Sequence, residues 1–304
     1  MYTDDTITEL NPNRDIIYLI SPYGLGDTMI LCGLKNAIEN KYGAKIHFLI
    51  KPIHEIVMRM YGITEYSFIK FSSDFLKHVN DDTSYPCPGK IFVTHPAFSD
   101  NGTDHLNKFY NNEFDFLSFY KKWLKLDDNA VFEKPTWWPD ITVDFANRLN
   151  KIAPIHKIIM ICPEANSASM FEKEFWETKI KNLKRRGFHV ICNITNKDNM
   201  ISGAIFFDMS LYECVALSAN CARVLSLRSG LCDLIYLTAR KLDVFYNNET
   251  ELSRYRLAKI FGYRTGVTET VPNKHVFYIK KIWSRSCGHL TREKAPAITP
   301  GPQP

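Results

Sequence analysis

The chain has 304 residues, 45% hydrophobic and 23% charged, a balance that excludes wholesale disorder and fits one large domain or two of ordinary size. The net charge of +5 suits an anionic ligand or an anionic membrane surface, yet no long Lys/Arg run is interleaved with aromatics, so a nucleic-acid partner is not expected. No stretch reaches the roughly 18 apolar residues that span a bilayer, and the acidic start Met1-Tyr2-Thr3-Asp4-Asp5 lacks a signal-peptide pattern, so a cytoplasmic location is expected.

Asp15 to Ile20 is a short apolar run closed by Ser21-Pro22-Tyr23-Gly24, the pattern of a buried parallel strand. Gly24-Leu25-Gly26-Asp27 is the turn, and Thr28 to Tyr42 spaces Met29, Leu31, Cys32, Leu34 and Ile38 as a helix that Gly43 stops. Lys45 to Ile50 is a second strand, Pro52 opens another helix, and Glu65 to Phe71 and Lys90 to Thr94 are further strands. Strand, glycine turn, helix and strand make a βαβ unit, whose right-handed crossover implies a parallel sheet. Asn107 to Leu126 then carries aromatics at helical spacing, including Phe109, Phe116, Phe119, Tyr120 and Trp123, a stripe that core packing explains better than ligand stacking. Lys134-Pro135-Thr136-Trp137-Trp138-Pro139 breaks regular structure and is the linker candidate.

A second series follows, with strands at Lys157 to Cys162, Gly187 to Cys192, Ala204 to Phe207, Ala222 to Leu227 and Leu242 to Tyr246. Between them lie helices at Phe171 to Arg186, Leu211 to Ala219 and Gly230 to Thr238. The expected fold is α/β, two Rossmann-like parallel-sheet domains facing a cleft. The expected boundaries are a first domain at 1–135, a linker at 136–155, a second domain at 156–270, and a segment at 271–304 ending in an extended or disordered Pro-rich tail. The eight cysteines show no two-residue spacing and sit mostly in apolar runs, as reduced structural thiols do. Lys179, Lys181, Lys184, Arg185 and Arg186 read as a solvated helix face.

In open α/β sheets ligands bind beyond the carboxyl ends of the strands, and three loops there have suitable composition. In the first, Gly24-Leu25-Gly26-Asp27-Thr28, the glycines let backbone approach a ligand; the plainer reading of Asp27 is a helix N-cap. It is not a dinucleotide fingerprint, for the third glycine is missing. In the second, Arg228-Ser229-Gly230, amide donors and a guanidinium fork suit phosphate oxygens, the alternative being Arg228 paired with a carboxylate such as Asp233. The third, Pro163 to Ser169, offers Asn166 and Ser167 to a phosphate or sugar hydroxyl. Glu213 can reach a ribose diol or simply face solvent, and His95 and Asp100 can help to position an acceptor or be structural.

These loops, in this order, resemble the GT-B glycosyltransferases of the bacterial heptosyltransferase-like branch, which serves lipopolysaccharide and capsule synthesis. The similarity runs from about Ile16 to Tyr246. It implies that Asp27, after Gly26, is the base that deprotonates the acceptor hydroxyl, and that Ser229-Gly230 holds the donor pyrophosphate. Trp176 falls where such proteins carry a helix tryptophan. The chain departs from the pattern at Ser169, where a Lys is usual, at Arg228, where an Asp is usual, and in having Asp233 near an expected His.

The implied function is transfer of a sugar from a nucleotide-diphosphate donor to a bacterial surface-glycan acceptor. The donor is substrate, no cofactor or metal is required, and the partners are the nucleotide sugar and a glycan or lipid-linked glycan, with peripheral contact at the inner membrane compatible with the charge. Two alternatives stay open: a nucleotide-sugar epimerase or hydrolase of the same fold, and a non-catalytic binding or scaffold protein that retains it.

Overall fold

A computed structural model describes residues 15–70, 72, 75–76, 79, 85–99, 102–165, 168–194, 197–272 and 278–279. The Pro-rich tail lies outside them. Two parallel sheets organise the chain. The first holds β1 (Ile16–Ile20), β2 (Lys45–Ile50), β3 (Tyr66–Phe68) and β4 (Ile91–Val93) in the order β3-β2-β1-β4. The second holds β5 (Ile158–Cys162), β7 (His189–Cys192), β8 (Ile205–Phe206), β9 (Arg223–Leu227), β10 (Leu242–Phe245) and β11 (Val267–Thr270), ordered β11-β10-β9-β5-β7-β8. A short antiparallel pair joins β6 (Met170–Phe171) to β12 (Tyr278–Ile279). The central strand β5, Ile-Ile-Met-Ile-Cys, is buried at every position, as a strand covered on both faces must be.

The helix expected over residues 28–42 is two helices, α1 (Leu25–Gly33) and α2 (Lys35–Tyr42), with Leu34 between them. A methyl group at Gly33 would come within 2.2 Å of the Phe132 ring, so this glycine is where residues 126–142, which form neither helix nor strand, cross the first lobe. Glu133 N–H donates to the Gly33 carbonyl and Thr136 N–H to that of Met60, both at 2.8 Å. Gly43 ends α2 in the left-handed conformation (φ 65°). A 3-10 turn at Pro52–His54 leads into α3 (Glu55–Met60).

The aromatic stretch likewise divides, into α4 (Gly102–Tyr110) and α5 (Phe116–Trp123), because Asn112 turns left-handed and Asp115 caps the second helix through Ser118 N–H. The expected linker contains α6 (Val143–Asn150), which sinks Phe145 and Leu149 into the core. The second lobe adds α7 (Lys173–Arg185), α8 (Leu211–Asn220), α9 (Gly230–Ile235), α10 (Glu249–Tyr255) and α11 (Leu257–Phe261).

One buried apolar cluster runs through both lobes, from Ile17 and Phe48 through Phe119 and Leu149 to Met160, Val224 and Tyr246. Side chains bridge the lobes as well. Phe109 and Phe116 pack on Tyr255 at ring separations of 5.5 and 5.3 Å, and Phe132 packs on Phe261 at 5.7 Å. In the basic cluster, Lys181, Lys184, Arg185 and Arg186 are exposed, but Lys179 is half-buried, its ammonium 4.7 and 4.6 Å from the Phe175 and Phe245 ring centres.

Candidate functional site

The first turn leaves β1 at Ile20 and enters α1 through an extended Gly24 (φ −96°, ψ 179°). Asp27 is therefore the third residue of the helix, not its N-cap. Its Oδ2 reaches back to accept the Gly24 N–H at 3.1 Å, and its Oδ1 accepts the Tyr120 hydroxyl of α5 at 2.5 Å. Both oxygens are thus oriented. Burial raises the Asp27 pKa and the nearby Asp233 charge adds to the rise, while the Tyr120 and Gly24 bonds pull it back. Tyr120 is fully buried, and burial pushes its phenol far above the ordinary range, so it remains a donor. A raised, oriented carboxylate is suited to take a proton near neutral pH.

A buried polar chain lies behind this turn. Thr28 Oγ1 is 2.7 Å from Ser21 Oγ and 2.8 Å from His54 Nδ1. His54 is only 2% exposed, and burial, helped by Lys51, pushes its pKa down to about 4, so the ring is neutral. Lys51 Nζ donates to the Pro22 carbonyl at 2.6 Å, fastening the turn from the end of β2.

The second turn leaves β9 at Leu227. Arg228 does not point its fork outward. Nη1 and Nη2 bond Asp233 Oδ2 and Oδ1 at 2.9 and 2.8 Å, Nη1 also bonds the Ser229 carbonyl at 2.6 Å, and Nε bonds the Tyr255 carbonyl at 3.0 Å. Burial opposes the Arg228 charge, but the Asp233 carboxylate prevails and holds the guanidinium pKa above its ordinary value. The expected phosphate fork is corrected accordingly: the alternative partner, Asp233, has the guanidinium, because a buried cation needs a paired anion. Ser229 stands at the N-cap of α9 in extended conformation and its hydroxyl makes no capping bond.

The two turns meet. A methyl group on Gly26 would lie 2.5 Å from Asp233 Oδ2 and 3.8 Å from the Gly230 Cα, and one on Gly230 would lie 3.1 Å from the Gly26 nitrogen. Gly26, Asp27, Arg228, Ser229 and Gly230, some 200 residues apart in the chain, therefore form one locus beyond the carboxyl ends of both sheets.

The remaining candidates fall elsewhere or outside. Glu213 is partly exposed and already engaged: Oε2 accepts Ser210 N–H in a capping box and Oε1 accepts Arg148 Nη1, both at 2.8 Å. His95 Nδ1 accepts Ala97 N–H at 3.2 Å, and burial pushes its pKa down to about 3. Trp176 is 1% exposed and sits edge-on to Phe245 at 5.7 Å, a core position. Lys173, the lysine nearest to Ser169, bonds the Asp198 carbonyl at 2.9 Å. Asn166, Ser167 and Asp100 lie outside the described residues.

Tyr120, His54 and Lys51 are the site residues that sequence reasoning missed. Tyr120 stood within an aromatic stripe that reads as core, and its bond to Asp27 spans 93 positions. The one local signal was a hydroxyl-bearing ring on the buried face, since a buried phenol requires an acceptor.

No protein-family model matches the chain, and no curated protein matches it in sequence. Solved structures do match. ADP-heptose LPS heptosyltransferase II of E. coli superposes with a TM-score of 0.53 at 13% identity, over 85% of this chain and 91% of that one. A family 9 glycosyl transferase from Veillonella parvula gives 0.51 at 10% identity, over 86% and 88%. The dodecameric iron-containing heptosyltransferase TibC of enterotoxigenic E. coli, solved with ADP-D-β-D-heptose, gives 0.54 at 16% identity, over 88% of this chain and 66% of that one. What these share with the chain is the fold: two parallel-sheet lobes of GT-B type. Among the described residues no helix is long and apolar enough to cross a membrane.

Proposed function

We propose that the chain is a glycosyltransferase that moves a sugar from a nucleoside-diphosphate donor to a hydroxyl of a bacterial surface glycan. The observation that carries this reading is the abutment of the Gly24–Asp27 turn on the Ser229–Gly230 turn, each leading from the carboxyl end of its own sheet. In this reading the Asp27 carboxylate of one lobe works opposite amide and hydroxyl donors of the other, as transfer between two bound substrates requires. The fold shared with two heptosyltransferases and a family 9 glycosyl transferase supports it.

In this reading Asp27 removes the acceptor proton, and Tyr120 and Gly24 N–H fix which carboxylate lone pair faces the hydroxyl. The Ser229 hydroxyl and the amides of the Ser229–Gly230 turn take the diphosphate. Arg228 acts at one remove: paired with Asp233, it holds the turn in shape. The charge on the leaving diphosphate is offset by these donors without a divalent ion. The test is Asp27→Asn in a donor-consumption assay. Turnover falls at least about a hundredfold with donor binding retained; unchanged turnover removes Asp27 from the mechanism.

One observation favours the non-catalytic alternative, namely that the guanidinium expected on the phosphates is consumed by Asp233. Calorimetry separates the two, since a scaffold protein without a donor site shows no heat with any nucleoside diphosphate.

A further inference from the structure

Helix α10 belongs to the second lobe and is tied to the first. Arg254 Nε donates to Asn112 Oδ1 at 2.8 Å, and its Nη2 donates to the Tyr110 carbonyl at the end of α4. The next residue, Tyr255, reaches both ways. Its carbonyl accepts Arg228 Nε at 3.0 Å and the Tyr246 hydroxyl at 3.1 Å, which fixes its backbone beside the residue that opens the Ser229–Gly230 turn. Its ring crosses to the first lobe, edge-on to Phe109 at 5.5 Å (82°) and tilted on Phe116 at 5.3 Å. Phe116 in turn meets Tyr120, the residue that donates to Asp27, at 5.5 Å.

The phenol of Tyr255 lies within electrostatic reach of Asp27 and Tyr110 of the first lobe and of Arg228 and Arg254 of the second. The hydroxyls of Tyr42, Tyr120, Tyr236 and Tyr246 all donate to protein acceptors, but that of Tyr255 makes no hydrogen bond among the described residues. Nor is it sealed in the interior, as the unpartnered hydroxyls of Tyr61 and Tyr212 are. Burial, then the neighbouring Tyr110 and Asp27, raise its pKa, so it keeps its proton. A protonated phenol fixed between the two lobes, with no acceptor of its own, is a donor available to a ligand.

From this placement we propose that Tyr255 contacts the substrate, its hydroxyl donating to an oxygen of the terminal phosphate of a nucleoside diphosphate seated on the Ser229–Gly230 turn. This rests on the glycosyltransferase reading and adds a donor where the Arg228 guanidinium, engaged by Asp233, supplies none. In the transfer step Asp27 takes the proton of the acceptor hydroxyl, and the acceptor oxygen bonds the anomeric carbon. The bond from that carbon to the terminal phosphate oxygen breaks, and its electron pair leaves with the diphosphate. Tyr255 keeps its proton throughout and stabilises the departing charge through a hydrogen bond to an anion, the stronger kind.

The test is titration calorimetry of the full chain with ADP, UDP, GDP and dTDP and with the matching monophosphates, comparing wild type with Tyr255→Phe. Phenylalanine keeps the ring on Phe109 and Phe116 and the carbonyl that holds Arg228. It gives up no hydrogen bond within the described protein, so the melting temperature without ligand is expected to stay in place. The expected result is about tenfold weaker binding of the diphosphate that wild type takes, with monophosphate binding unchanged. Equal diphosphate affinity in the two proteins overturns the proposal and leaves the glycosyltransferase reading intact. An equal loss for monophosphate and diphosphate also defeats it, since the hydroxyl then lies away from the terminal phosphate. A melting temperature several degrees lower in Tyr255→Phe assigns the hydroxyl to the fold instead. Wild type that takes none of the diphosphates ends both the proposal and the reading.

Discussion

The Gly26 Cα lies against the Asp233 carboxylate, with room for a hydrogen but not a methyl group, which would stand 2.5 Å from Oδ2. Asp233 cannot retreat freely, because both of its oxygens hold Arg228. The first lobe's turn is thereby shaped to fit an ion pair of the second. Gly26→Ala is expected to destabilise the protein by about 1–3 kcal/mol, as overpacking does. At Gly24, where a methyl group would meet Asp27 Oδ2 at an ordinary 3.6 Å and φ is negative, alanine is expected to cost much less. Urea denaturation of the two variants makes the comparison, and equal costs contradict the close fit.

The Arg228–Asp233 pair is almost wholly buried, with side-chain exposures of 9% and 2%. Arg228→Met strands the carboxylate and is expected to cost about 3–5 kcal/mol, whereas Arg228→Met with Asp233→Leu recovers most of that. The double-mutant comparison by chemical denaturation checks it; a double variant no more stable than the single shows that the pair does not act as a unit.

His54 carries a definite pH dependence. Its folded pKa, about 4, lies below the ordinary value of a free histidine, so the unfolded chain binds the proton first as pH falls. Its contribution is present above the unfolded pKa and is lost as pH drops toward 4, at up to about 1.4 kcal/mol per pH unit. His95 acts in the same direction. Asp27, raised, acts in the opposite one, its contribution falling as pH rises above the ordinary carboxylate range. The difference between wild type and His54→Gln isolates the term: unfolding free energies at pH 7, 6 and 5 should converge as pH falls. A constant difference contradicts a buried neutral ring.

Much of this was legible in the sequence and some was not. The apolar runs of β1, β2, β5, β9 and β10, each closed by a turn, announced two parallel sheets, and the glycine turns at Gly26 and Gly230, singled out in the sequence, are the ones that abut between the lobes. The break between α1 and α2 escaped because it lies where Gly33 meets Phe132, almost a hundred residues on, and that between α4 and α5 because the left-handed Asn112 and the Asp115 cap interrupt an unbroken aromatic pattern. Arg228 shows the harder failure. Composition favoured the phosphate fork over the buried ion pair, and the bonds from the guanidinium to the Tyr255 carbonyl and the Asp233 carboxylate, which only the folded chain brings together, show the pair. Tyr120 could not be assigned to Asp27 by any spacing rule.

Tyr120→Phe removes the phenol that Asp27 Oδ1 accepts and leaves the ring packing intact. A hydrogen bond to the charged form lowers a carboxyl pKa, so its loss moves the Asp27 pKa higher. In transfer assays the acidic limb of kcat/KM against pH should shift upward, with stability reduced by about 1 kcal/mol. Carbon-13 titration of the Asp27 carboxyl gives the same reading without turnover. An unmoved titration shows that the 2.5 Å contact does not tune the base.

The central claim is that the Ser229–Gly230 turn, closed against Gly26, is the seat of a nucleoside diphosphate. A thermal-shift series with UDP, GDP, ADP, dTDP and CMP addresses it directly, since a ligand that binds only the folded chain stabilises it by about 2.7 kcal/mol at a hundred times its Kd. The account predicts that at least one diphosphate raises the melting temperature by several degrees, and that Ser229→Ala diminishes the rise while Asp27→Asn leaves it in place. Melting temperatures indifferent to every nucleotide at millimolar concentration would contradict it.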